Sequence, residues 1–357
     1  MKRGFRDKDY VETEERLIFC VVGSTHPPDR IISYLKYMPS REGEWGSTLK
    51  FCRVIYRYTM PNLMDTLRLL SSKYPNYLFY SHVYHIKMSG VPVRSIRKHY
   101  VPETRLSKLM EDPPKDRLIE KLIELVDRLS QLSGVSTKDF GVTGSILLGL
   151  WRPEISDIDI TVYGYENCRK IKEGILQAFN DEEVPIERLS GREGYEWCER
   201  RVREYPISFK DAEKMLESMW RIGIFKGTRF SINPVRVESE AEKYGDRVYY
   251  PRGYGKIRAV ISDERESFFT PAKYLVEKVK VLEGPKDVDL REVASYEGVY
   301  ADIAREGDVI EARGKIEVVE DKLTGETYHR LLVGTLEGGG RDYICLLYTS
   351  PSPRDRG

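Results

Sequence analysis

Two acidic residues, Asp157 and Asp159, carry the strongest chemical signal in this 357-residue chain. They lie in Ser156-Asp157-Ile158-Asp159-Ile160-Thr161-Val162-Tyr163, where polar and branched residues alternate, which predicts a strand over 157–163. On a strand, residues i and i+2 share a face, so both carboxylates project to one side and Thr161 continues that polar edge. Ile158, Ile160 and Val162 then face a core. Two like charges this close repel unless a cation sits between them. Two Mg²⁺ ions about 3.5–4 Å apart are the usual solution, because hard oxygen ligands suit that ion.

The second signal precedes the acids. Residues 140–143 read as a short strand and 145–151 as a short helix stopped by Pro153, with Gly144-Ser145 at the turn between them. Backbone N–H groups and the positive end of a helix converge at such a turn and favour phosphate. Gly144 lacks a Cβ and lets the backbone approach a ligand closely. The Ser145 hydroxyl adds a donor, and Gly149 would allow the short helix to pack closely. A triphosphate cradle facing a metal-binding strand suits nucleotidyl transfer, in which the α-phosphate is held in line with an acceptor hydroxyl.

Gly144-Ser145, Gly149 and Ser156-Asp157-Ile158-Asp159-Ile160 resemble the signature of the DNA polymerase β-like nucleotidyltransferase superfamily. The wider pattern, including the N-terminal flank and Phe269-Thr270-Pro271, is similar to uncharacterised archaeal predicted nucleotidyltransferases. The resemblance implies a metal- and NTP-dependent transferase, with Asp157 and Asp159 as catalytic and metal-binding residues and Gly144 and Ser145 as nucleotide-binding residues. It also implies a third carboxylate on a later strand. This chain departs from that pattern, since Ser231 stands where Asp is expected. Glu187, Glu238 and Glu240 are substitutes, each read equally well as an exposed glutamate.

The elements that must position these groups follow from periodicity. Residues 115–132 form the cleanest amphipathic helix, bounded by Pro113-Pro114 and Gly134, and 168–179 form another. Strand-like stretches at 17–22 and 31–38, a helix at 62–74 and a strand at 77–88 predict an N-terminal α+β domain. Beyond residue 255, strands at 256–262, 274–282, 309–319 and 328–335 separated by Gly, Pro and Asp predict a small β-barrel. The expected class is α+β: an N-terminal domain (1–106), a central nucleotidyltransferase domain (107–245) and a barrel-like domain (246–344). Residues 345–357 read as a tail of translated sequencing-adapter type, outside the fold.

Composition sets limits. Lys plus Arg (58) nearly cancels Asp plus Glu (57), which excludes a strongly basic nucleic-acid glove. The longest aliphatic run, 17–22, is far short of the ~20 residues that span a bilayer. No signal peptide is visible, so a cytoplasmic protein with no membrane partner is expected. Five scattered cysteines favour neither a disulfide framework nor a zinc site, and 2 Gln and 5 Asn against 58 basic residues suit a heat-adapted host. Gly23-Ser24 lacks a following acid pair and reads as a turn. Arg192, Arg200, Arg201 and Arg203 interleave with Glu193, Glu196, Glu199 and Glu204, which reads as a salt-bridged helix face. Lys226 and Arg229 read as a strand edge that could also meet phosphate. The function expected is transfer of an NMP from an NTP to a hydroxyl on RNA, protein or a small molecule, with release of pyrophosphate. The alternative is a catalytically reduced nucleotide- or RNA-binding regulatory protein on the same fold.

Overall fold

A computed structural model describes residues 3–46 and 49–347. The N-terminal third is a seven-stranded sheet of β1 (Tyr10–Thr13), β2 (Ile18–Val21), β3 (Arg30–Pro39), β4 (Phe51–Arg53), β5 (Leu78–Ser81), β6 (Ile86–Pro92) and β7 (Ile96–Tyr100). Its order is β5-β6-β3-β2-β1-β7, with β4 also on β3. Helix α1 (Met60–Lys73) covers one face. Leu70 of α1 packs there with Val11, Leu17, Phe19 and Leu35. The single strand expected over 77–88 is instead a hairpin of β5 and β6, with Tyr84 and His85 in its turn and a left-handed φ at His85.

The central third begins with α2 (Pro102–Glu111) and α3 (Arg117–Ser133) and continues through β8 (Phe140–Val142), α4 (Gly144–Leu148), β9 (Ile158–Tyr163), α5 (Tyr165–Ala178) and β10 (Ile186–Glu187). It closes with α6 (Gly191–Glu204), α7 (Phe209–Ser218), β11 (Ile222–Phe225) and β12 (Thr228–Val235). Helix α3 starts where Asp116 accepts from the N–H groups of Leu118 and Ile119 at 2.8 and 3.3 Å, and ends at Gly134 with φ 69°. Its buried stripe of Leu118, Ile119, Leu122, Leu125, Val126 and Leu129 lies against a five-stranded sheet of order β10-β11-β12-β9-β8. Ile158, Ile160 and Val162 of β9 are fully buried in that core, as the alternation predicts.

The C-terminal third holds β13 (Arg247–Asp263), β14 (Ala272–Glu283), β15 (Leu290–Ser295), β16 (Val309–Asp321), β17 (Thr327–Val333) and β18 (Tyr343–Leu346). Their order is β13-β14-β15-β17-β16-β18, with a further β13–β16 pairing and β15 parallel to β17. The molecule is therefore mixed α+β. Cys345 and Leu346, assigned from sequence to a tail outside the fold, pair with Glu311 and Ile310. Residues 348–357 of that tail lie outside the described residues. All five cysteines are free. Among the described residues no helix is long and apolar enough to cross a membrane.

Candidate active site

Strand β9 lies parallel to β12, and the register sets Asp159 opposite Ser231. Cross-strand partners share a face, so the Ser231 hydroxyl meets the carboxylate and donates to Asp159 Oδ1 at 2.6 Å. Asn233, two residues on, donates to Ser231 Oγ at 3.1 Å and to the Ile160 carbonyl at 3.1 Å, which fixes the hydroxyl. The other oxygen, Asp159 Oδ2, lies against Gly144. A Cβ at residue 144 would collide with it, and Gly144 also has φ 66°. Thr143 N–H donates to the Asp159 carbonyl at 2.8 Å. The glycine–serine turn and the second acid are thus in direct contact.

Neighbouring residues depart from the sequence-based expectations. Ser145 is buried and donates to Ser156 Oγ at 3.3 Å, and that oxygen also accepts from Arg152 N–H at 2.9 Å. The Ser145 hydroxyl therefore braces the loop that leads to the acids. Gly149 has open space where a Cβ would be. What it supplies is the left-handed φ of 73° that ends α4, not the close packing expected. Thr161 does not extend the polar edge: it is fully buried and donates to Tyr163 Oη at 3.1 Å, which in turn donates to Glu103 at 2.7 Å.

Asp157, the residue before β9, is exposed by area, yet neighbouring protein desolvates its carboxyl. Desolvation, followed by repulsion from Asp159, pushes its carboxyl up to about 6, against the opposing pull of Arg229, Arg200 and Arg53. Two of these arginines come from elements read differently in the sequence. Helix α6 is salt-bridged through Arg201–Glu204 on its covered side and through Arg192–Glu196 and Arg203–Glu199 on its exposed face. Arg200 is excluded from that face; it joins no ion pair among the described residues and its buried Nε has no partner. Lys226 pairs with Glu124 on α3, whereas Arg229 is left to act on Asp157.

Another side of the site comes from the N-terminal sheet, which no sequence pattern places here. Tyr10, Ile18, Cys20, Tyr37 and Phe51 pack on Leu147 and Leu150 at the end of α4. This docking carries Lys36, Tyr37 and Arg53 to Asp159, whose charge acts on all three. No local sequence pattern marks Lys36 or Arg53, because their role depends on one sheet stacking against another domain's helix.

None of the three substitute glutamates stands beside the acid pair. Glu238 is held by Arg6 at 2.6 Å and by Gly4 N–H at 2.9 Å, and the Arg6 hydrogen bond first of all lowers its pKa to about 2. Glu240 accepts from Tyr165 N–H and Val237 N–H at 2.8 and 3.2 Å. Glu187 is exposed on β10, and β11 and β12 separate it from β9. At the usual strand spacing that is about 14 Å. Among the described residues no group of three or more His, Cys, Asp or Glu side chains could hold a metal ion. Two carboxylates on one face nevertheless suit Mg²⁺, which keeps several waters and binds through one or two carboxylates plus substrate phosphates.

In the central sheet Asp159 of β9 thus meets the glycine that opens a short helix, and Asp157 stands at the residue before the strand, an arrangement of the nucleotidyltransferase type. Residues 121–222 match the family model for the nucleotidyltransferase domain, a span that holds Gly144, Ser145, Asp157 and Asp159 but not Ser231. Over 344 residues the chain is 28% identical to an uncharacterized protein of the archaeon Methanocaldococcus jannaschii, covering 95% of this chain and 98% of that one. The resemblance read from the two motifs thus holds, and the similarity to an archaeal protein extends through the N- and C-terminal thirds. No solved structure matches the chain significantly.

Proposed function

We propose that the protein transfers a nucleoside monophosphate from an NTP to a hydroxyl acceptor, with release of pyrophosphate. The observation that carries this reading is the contact of Asp159 with Gly144 on one side and Ser231 on the other. It sets Asp159 directly against the backbone turn that opens α4, so that a cation held by this acid would lie beside phosphates docked at the turn. Asp157 and Asp159 would hold Mg²⁺, which supplies charge stabilisation at the attacking and leaving oxygens when bound. Gly144 would pass the phosphates close to the backbone, and Ser231 holds the Asp159 carboxylate in one orientation. Cations on both walls of the cleft suit a polyanionic substrate.

The experiment offers α-labelled NTPs with Mg²⁺ or Mn²⁺ to the protein, with cellular RNA and protein extract as acceptors. Label moving to an acceptor with stoichiometric pyrophosphate is expected. The double variant Asp157→Asn, Asp159→Asn should lose metal-dependent NTP affinity while keeping its circular dichroism; unchanged affinity would remove the site. A second reading, NTP sensing or RNA docking without turnover, is favoured by Ser231 in the place of the third acid. Metal-dependent binding with no transfer to any acceptor would select it.

A further inference from the structure

Lys36 is the least expected residue near the acids. It is only 7% exposed, and among the described residues its ammonium joins no ion pair; it lies over the Tyr58 ring, 4.5 Å from its centre. A buried cation without an anion is costly, and folded proteins normally pair or neutralise it. This chain does so elsewhere: buried Arg330 has Glu317 at 2.8 Å, and buried Lys315 has Glu337 at 3.0 Å.

The backbone shows how Lys36 is presented. In the β2–β3 ladder Ile18 pairs with Tyr37 and Phe19 with Leu35, so Lys36 is the extra residue of a bulge. Bulges re-aim a side chain and are over-represented beside active sites. The Lys36 carbonyl is satisfied by Val54 N–H at 2.8 Å, which ties the bulge to the chain just after Arg53. Arg53 stacks on Trp45 at 5.0 Å and donates to Tyr37 Oη at 3.2 Å; its buried Nε has no partner. Arg200, with its own unpartnered Nε, and Arg229 act on Asp157. None of these four cations joins an ion pair among the described residues, and they outnumber the two aspartates two to one.

We infer that the N-terminal sheet supplies half of a polyphosphate site: Lys36 and Arg53 grip the triphosphate of the nucleotide from one wall, opposite Arg200 and Arg229. This rests on the nucleotidyltransferase reading and assigns the N-terminal domain a part in substrate binding. An unpaired cation inside the cleft is what an incoming phosphate chain would neutralise. Guanidinium groups supply planar, bidentate donors for the same oxygens. A site built on these cations reads the length of the phosphate chain.

The test is calorimetric titration of the full chain with ATP, AMP and inorganic tripolyphosphate, each with MgCl₂. Lys36→Met keeps the apolar stem, and removal of an unpaired buried charge should leave the melting temperature unchanged or higher. It is expected to weaken ATP and tripolyphosphate at least tenfold while AMP changes less than twofold. Arg53→Gln, at a half-exposed edge strand, should shift the same ligands in the same direction and decides the matter should Lys36→Met not fold. Lys36→Arg should recover part of the affinity. Wild-type ATP binding that is lost in the double Asp→Asn variant but unchanged in Lys36→Met and Arg53→Gln would overturn this inference and leave the transferase reading standing. An equal loss for AMP would also overturn it. A wild-type protein that binds neither ATP nor tripolyphosphate would remove both.

Discussion

Asp157 is held in a position that costs the free protein stability. Its carboxyl titrates near 6 in the fold against 3.8 when unperturbed, first through desolvation and then through Asp159. A raised carboxyl pKa means that the unfolded chain loses its proton first as pH rises. Stability then declines from about pH 4 to about pH 6 and is flat beyond. Asp157→Asn removes this penalty. Chelated wild-type and variant proteins should melt together at pH 4, separate as pH rises through 6 with the variant higher, and keep a constant gap at pH 8. A variant that melts below wild type at pH 8, with the gap closing toward pH 4, would place Asp157 in a stabilising ion pair instead. Such a residue is retained against its own cost to stability, and residues of that kind collect at functional sites.

At the scale of elements, α3 and β9 were legible because each obeys one period over its whole length. Leu122 lies fully buried in the α3 stripe, so Leu122→Ala should lower unfolding free energy by about 2–5 kcal/mol without altering the denaturant slope. Chemical denaturation checks this, and a loss under 1 kcal/mol would mean that α3 does not anchor the core. The Gly144–Ser145 turn and the facing acids were legible for the same local reason, since strand, turn and strand follow within 24 residues. What stayed hidden depended on distant partners. Thr161 looked like part of an exposed edge because Tyr163 and Glu103 of α2 were not in view. Arg200 looked like one more member of a balanced helix face; Glu196 and Glu204 do lie one turn to either side of it, yet they pair with Arg192 and Arg201 instead. Lys36 gave no signal at all: a bulge is a mismatch between two strands and has no sequence pattern of its own.

At the scale of the molecule, the three thirds share their cores. Tyr37 and Phe51 of the N-terminal sheet pack with Leu147 and Leu150 of the central third. Trp197 of α6, Tyr205 just after it and Met215 of α7 share a core with Ile257, Tyr274, Val293 and Ile316 of the C-terminal sheet. Phe268 and Phe269, in the connection from β13 to β14, insert into the core under α3 and α5. Ion pairs follow the same plan. Arg3 reaches both buried Asp9 and Glu103, Arg6 reaches Glu238, and Lys172 on α5 lies 2.9 Å from Asp302. Separating any third would expose Leu, Tyr and Trp side chains and strand buried charges, at several kcal/mol for each uncompensated ion. No third should therefore unfold while the others stay native. Differential scanning calorimetry is expected to show one transition in which calorimetric and van't Hoff enthalpies agree, a test that multidomain chains commonly fail. Two resolved peaks, with the N-terminal sheet melting in a transition of its own, would show that this sheet is an independent body. It could then not hold Lys36 against the acids firmly enough to grip a substrate.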